Sequence, residues 1–129
     1  MDCPELAYTP FDLNFVQGNT PGLTVTVTLP DGVTKVDLTG AVIYLTAKED
    51  PSEADPGLFQ LSTVSGDIDI SDQETNLGEY VVTFPAAATA NLSALKEYFW
   101  DSKVELNGIL QTVIGGKLTL TQAITQAGT

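Results

Sequence analysis

The sequence is expected to fold as an all-β protein, an immunoglobulin-like antiparallel β-sandwich of about seven to nine strands with one short helix before the final hairpin. Three observations carry this. A hairpin pattern spans residues 98–120. Short runs of alternating polarity recur through the rest of the chain. Turn-forming dipeptides separate them at sandwich-like spacing.

The hairpin is the clearest stretch. Trp100, Ser102, Val104 and Leu106 alternate with Asp101, Lys103, Glu105 and Asn107. A period of two sets one strand face on a core and the other in water. Asn107-Gly108 follows, the pair that best accepts the positive φ angles of a type I′ turn. The return run from Ile109 to Ile114 is apolar at nearly every position, and Gly115-Gly116 inside it suggests a β-bulge or a close backbone approach. Lys117-Leu118-Thr119-Leu120 resumes the strand.

Ahead of the hairpin, residues 1–10 hold two prolines and no period, and are expected to be an irregular arm. The sandwich domain is placed at residues 11–121 and a polar tail at 122–129. FDLNFVQ alternates, with Phe11, Leu13 and Phe15 on one face. After the turn chemistry of residues 18–22 comes LTVTVTL, where Leu23, Val25, Val27 and Leu29 point inward and the threonines outward. Pro30-Asp31-Gly32 and Asp37-Leu38-Thr39-Gly40 are turns. AVIYLTAK (41–48) is apolar on both faces for much of its length and is placed centrally in a sheet. Residues 49–57 carry four carboxylates, two prolines and a glycine, an exposed mobile loop. Short strands are expected over 58–64, 67–70 and 79–84, with a polar connection at 71–78. AAATANLSAL (86–95) is the helical candidate: Ala is the best helix former and Pro85 suits a helix start. Ten residues need tertiary packing to stay helical.

Composition excludes more chemistry than it suggests. Five lysines and no arginine face 17 carboxylates, for a net charge of −12. Such a chain repels phosphate backbones and anionic bilayers, so neither nucleic acid nor membrane is an expected partner. No apolar run is long enough to span a bilayer, and the N-terminus lacks the pattern of a secretory leader, so synthesis in the cytoplasm is expected. With one cysteine, Cys3, no disulfide forms within the chain. The absence of histidine removes the commonest general base, Ser-His and Cys-His nucleophiles, and histidine-containing zinc sites. Gly115-Gly116-Lys117 lacks the spacing of a phosphate-cradling loop. Asp67, Asp69, Asp72 and Glu74 offer oxygen ligands, but a calcium loop begun at Asp67 would hold Asp72 and Gly78 where glycine and glutamate are needed. Neither cofactor nor catalytic residue is expected. The candidate interaction residues are Leu58 and Phe59, just after the acidic loop, and Phe99, Asp101 and Lys103 on the outward hairpin face, where an exposed Phe99 would mark an oligomer contact.

The order of motifs carries a resemblance. Phe15-Val16-Gln17-Gly18-Asn19-Thr20 leads into the Leu/Val–Thr strand, followed by Asp31-Gly32 and Asp37-Leu38-Thr39-Gly40-Ala41. Then come the run from Pro85 to Leu92, the aromatic strand before Asn107-Gly108, and Gly116-Lys117-Leu118-Thr119-Leu120. Together they resemble the N-terminal domain of phage baseplate upper proteins and related small immunoglobulin-like domains of tailed-phage virions. The resemblance implies a non-enzymatic, multicopy virion component that forms a homo-oligomer or ring and joins other phage structural proteins. It would be assembled in the host bacterial cytoplasm and sit at the tail, baseplate or neck. A decoration protein on the capsid exterior and a carbohydrate-binding module are the alternatives. An enzyme fits least.

Overall fold

The computed structural model describes residues 5–16, 19–54, 57–90, 92–93 and 96–121. Two β-sheets pack face to face as a sandwich. The strands are β1 (Thr9–Pro10), β2 (Leu13–Val16), β3 (Gly22–Thr26), β4 (Val42–Lys48), β5 (Phe59–Ser62), β6 (Ile68–Ile70), β7 (Glu79–Thr83), β8 (Tyr98–Leu106) and β9 (Ile109–Thr121). A single helical turn, α1 (Ala86–Ala90), precedes β8. The larger sheet runs β1-β9-β8-β4-β5, with β2 also on β9, and the smaller runs β3-β7-β6. The chain changes sheet between β2 and β3, β3 and β4, β5 and β6, and β7 and β8, while the other neighbouring strands share a sheet, which makes an all-β sandwich.

The inner faces supply the core. Ile43 and Leu45 of β4, Val104 of β8 and Leu118 of β9 meet Ile68, Tyr80 and Val82 of the smaller sheet, all fully buried. Phe84 plugs one end, tilted against Phe15 at 4.7 Å and edge-on to Phe59 at 6.4 Å. One polar chain crosses between the sheets. Ser102 Oγ donates to the Tyr44 carbonyl at 2.8 Å, and this leaves it to accept from the Tyr80 hydroxyl at 2.7 Å. Burial of Tyr80 pushes its phenol pKa well above the usual value, against a smaller lowering by the Ser102 hydrogen bond.

Several expectations change. Pairing is antiparallel throughout except at the N-terminus, where β1 and β2 run parallel to β9, Thr9 against Ile114 and Leu13 against Leu118. Thr9 and Pro10, expected within an irregular arm, therefore belong to a sheet. Leu6 beside them is buried, and its N–H donates to Gln111 Oε1 at 2.9 Å. Phe11 does not share the face of Leu13. It is 47% exposed, because the chain steps over Gly115 and Gly116 at that point. The Phe11 N–H donates to the Gly115 carbonyl, the Trp100 indole N–H donates to the Phe11 carbonyl, and the Lys117 N–H donates to Asp12 Oδ1. A Cβ on Gly116 would lie 2.7 Å from Asp12 Oδ1 and closer still to the Phe11 carbonyl oxygen. The glycine pair is thus the expected close approach. The bulge lies earlier: Ser102 pairs with Ile114 but Lys103 with Thr112, which leaves Val113 as the extra residue. That bulge turns Thr112 and Leu110 to the outside, so Leu110 is exposed despite its apolarity; Ile109, on the other face opposite Leu106, is exposed at the hairpin tip.

The Asn107-Gly108 turn has φ of 54° and 79°, as a type I′ turn requires. The polar connection before β7 closes around Gln73, whose Oε1 accepts from the Leu38 and Gly78 N–H groups, each at 2.9 Å. Its Nε2 donates to the Ser71 and Glu79 carbonyls. In the exposed turns Asp31 and Asp37 accept from Thr34 and Thr39, and those hydrogen bonds lower both carboxyl pKa values. The acidic loop after β4 is exposed as expected, with Asp50 accepting from Ser52 and Lys96 paired to Glu49 at 3.0 Å. Asp55, Pro56, Asn91, Ala94, Leu95, Cys3 and the polar tail lie outside the described residues. Among the described residues no helix is long and apolar enough to cross a membrane.

Candidate functional site

The candidate site lies on the outer face of the larger sheet. Its geometry follows from register. Counting across β4, β8 and β9, the rows are Lys48–Phe99–Lys117, Thr46–Asp101–Gly115, Tyr44–Lys103–Thr112 and Val42–Glu105–Leu110. Because Trp100, Ser102 and Val104 turn into the core, Phe99, Asp101, Lys103 and Glu105 must turn out. The bulge at Val113 keeps β9 in phase with them beyond Ser102.

Two hollows adjoin on this face and share Thr46, Lys48 and Asp101. The larger, about 460 Å³, is walled by Tyr8, Pro51 and Phe99, with Asp12 and Lys117 at one side and Trp100 beneath. The smaller, about 330 Å³, lies between Tyr44, Gln60, Lys103, Glu105 and Leu110. Tyr44, Lys48, Phe99, Asp101, Lys103, Glu105 and Thr112 are half-buried within a single copy, so their rotamers are already restrained. Gln60 Nε2 donates to Thr46 Oγ1 at 3.1 Å, and Lys117 pairs with Glu97 at 3.4 Å. The latter pair is about half exposed and adds no more than about 1 kcal/mol.

The charge of this face differs from that of the molecule. Lys48, Lys103 and Lys117 balance Asp12, Asp101 and Glu105. The net −12 is therefore carried by the remaining surface. Three of the five lysines gather here around Phe99, Tyr44 and Tyr8. A locally neutral patch with apolar centres and an alternating polar rim is how protein–protein interfaces are composed.

Of the residues singled out from sequence, Phe99, Asp101 and Lys103 come together on this face. Leu58 and Phe59 do not. Both pack on the core, and Phe59 points inward opposite Ala47 to reach Phe84. They close the sandwich edge, which corrects the expectation of an exposed apolar pair. Sequence reasoning missed Tyr44, Thr46 and Lys48. Their signal was the alternation within AVIYLTAK, masked by an apolar start to the run. It also missed Tyr8, 53% exposed, in the segment expected to be an arm.

For the carboxylates weighed as calcium ligands, Asp67 Oδ2 accepts from Ser65 Oγ and Asp72 Oδ1 from the Glu74 N–H. Among the described residues no three of His, Cys, Asp and Glu converge on a common point. No protein-family model matches the chain, and a search of curated proteins finds no match either.

Proposed function

We propose that this chain is a non-enzymatic structural component of a tailed-phage virion, a small multicopy adaptor that seats on a neighbouring virion protein through the outer face of its larger sheet. The observation that carries the docking surface is the pair of adjoining hollows around Phe99 and Lys103 on a charge-balanced face of a strongly acidic molecule. Acidic partners are repelled less there than over the carboxylate-rich surface. The virion setting rests on the motif order shared with small immunoglobulin-like virion domains. Tail, baseplate or neck is the preferred position, and the capsid exterior the alternative.

The test is incorporation. A tagged chain is expected to co-purify with virions and to be seen by gold labelling on the tail. Phe99→Ser with Lys103→Glu, folded by circular dichroism, is expected to drop at least tenfold in incorporation. Wild-type incorporation by that variant would overturn the docking face, and absence of the parent chain from virions would overturn the setting. Labelling on the head would select the capsid alternative.

A second reading has its own observation. Tyr8 and Phe99 flank Asp12 and Asp101 in the larger hollow, an aromatic wall beside carboxylate acceptors that would suit a sugar ring. Glycan-array binding lost in Tyr8→Ala, with no incorporation into virions, would favour that reading.

A further inference from the structure

The opposite sheet ends in a strand whose outer edge pairs with no other strand among the described residues. β3 is the first strand of the order β3-β7-β6, so one of its edges is unpaired within the sheet. Its phase is fixed by two bonds to the β7 side. The Val27 N–H donates to the Gly78 carbonyl at 2.7 Å, and the Phe84 N–H donates to the Pro21 carbonyl at 2.9 Å. Odd residues therefore bond to β7, and Gly22, Thr24 and Thr26 turn their N–H and C=O groups to the free side. Thr28, the next in phase, shows that this side can be paired: its carbonyl accepts from the Ala7 N–H at 2.9 Å. The N-terminal segment then leaves β3 to join β9 at Thr9. A hollow of about 230 Å³ remains beside the edge, lined by Phe11, Leu23, Val25, Val113 and Ile114 among others.

Natural edge strands are guarded by charge, proline or a bulge. This one has none of them over Gly22–Thr26. Residues 13–30 carry no charged side chain at all, in a chain of net charge −12. Two copies can therefore approach here without bringing carboxylates into register. The strand is also built to meet itself. LTVTVTL alternates strictly, with branched threonines on one face and apolar residues on the other. An antiparallel self-pairing in phase keeps Leu or Val against Leu or Val inside, and about Thr24 it sets Thr24 against Thr24 and Gly22 against Thr26 outside.

We infer that β3 is a self-association edge, at which a second copy of this chain adds its own β3 antiparallel about a two-fold axis at Thr24. That register pairs Thr24 with its symmetry mate and Gly22 with Thr26 of the other copy. All the outward groups of Gly22, Thr24 and Thr26 are then used, and Thr28 keeps its bond to Ala7. A register centred on Thr26 would compete with that bond. The two three-stranded sheets become one of six strands, and Leu23 and Val25 of each copy cover the hollow beside the seam. The surface is distinct from the face assigned to the virion partner, so a copy can use both.

The test is sedimentation equilibrium of the full chain over a concentration series reaching the millimolar range. The mass is expected to rise from 13.7 kDa towards twice that value. Thr24→Pro removes an outward N–H that bonds none of the described residues of its own copy, so it is expected to stay at the single-chain mass with an unchanged circular dichroism spectrum. Single cysteines in a Cys3→Ser background read the register independently of that variant. Across the proposed axis the two Thr24 Cα atoms lie about 5.5 Å apart. The two Thr26 Cα atoms lie four residues out of register, about 14 Å apart. Thr24→Cys is therefore expected to oxidise to a covalent dimer and Thr26→Cys to remain single. A parent that stays at 13.7 kDa throughout, or equal cross-linking at both positions, overturns the inference. So does a single-chain parent that instead binds an added extended apolar peptide, which would make that peptide the occupant.

Discussion

Ser102→Ala is expected to cost more than Tyr80→Phe, although it removes fewer atoms from the core than most buried substitutions. Both residues are fully buried and joined at 2.7 Å. The Ser102 proton is committed to the Tyr44 carbonyl, so Tyr80 is the donor to Ser102. Tyr80→Phe deletes that donor, and Ser102 loses only an accepted bond while keeping its own, a cost of about 1 kcal/mol. Ser102→Ala leaves the phenol hydroxyl without an acceptor in a dry core and takes one donor from the Tyr44 carbonyl. An orphaned buried group costs about 1–3 kcal/mol, so about 2 kcal/mol is expected. In urea, with a slope of about 2 kcal/mol/M, that moves the midpoint down by roughly 1 M at unchanged slope. The double substitution is expected to fall short of the sum of the singles by about 1 kcal/mol, since removing both partners orphans no hydroxyl. The same pair gives a pH dependence. The folded phenol pKa is raised, so its contribution is complete below the unfolded value near 10 and is lost as pH climbs from there towards the folded value. Tyr80→Phe should flatten that alkaline fall. Equal costs for the singles, strict additivity, or an alkaline slope that survives Tyr80→Phe would refute the reasoning.

Gly116→Ala places a methyl group against the Phe11 carbonyl and Asp12 Oδ1. It should cost about 2–3 kcal/mol and loosen the Trp100 indole bond, seen as a red shift of the chain's one tryptophan in fluorescence. Gln73→Ala strands the N–H groups of Leu38 and Gly78, and about 3 kcal/mol should be lost in thermal or urea unfolding. Thr89 Oγ1 is buried with no hydrogen-bond partner among the described residues, so Thr89→Val should raise stability by about 1 kcal/mol; a lowered melting temperature would show that the hydroxyl has a partner.

The hairpin and its neighbours were legible because each rests on local information. Alternation gave the faces of β8 and β3, and Asn107-Gly108 gave the turn and its positive φ angles. What was missed depends on partners distant in the chain. Thr9–Pro10 is too short to carry a period, and it is a strand only because Ile114 and Gly115 lie beside it. The glycine pair signalled an irregularity but not which residue bulges. The bulge fell on Val113, where an extra residue brings both Thr112 outward and Leu118 inward. Leu58 and Phe59 looked exposed because they follow a charged loop, yet closure of the sandwich on Phe84 draws Phe59 in. The candidate face was half legible. β8 announced its outward residues, whereas AVIYLTAK could not reveal whether its second face is covered by protein, since an apolar start reads the same in either case.

The parallel seam between β2 and β9 has a mechanical consequence. Leu13 lies against Leu118 and Val16 against Thr121, so chain entering β2 and chain leaving β9 depart from opposite ends of one ladder. Traction on the two flanks pulls these strands past each other along their length. Their hydrogen bonds then bear the load together, in shear. The β8–β9 pair, closed by its two-residue turn, would unzip one rung at a time if pulled at its open end. A module threaded into an assembly by its two flanks would thus hold its shape under tension until the whole seam fails at once.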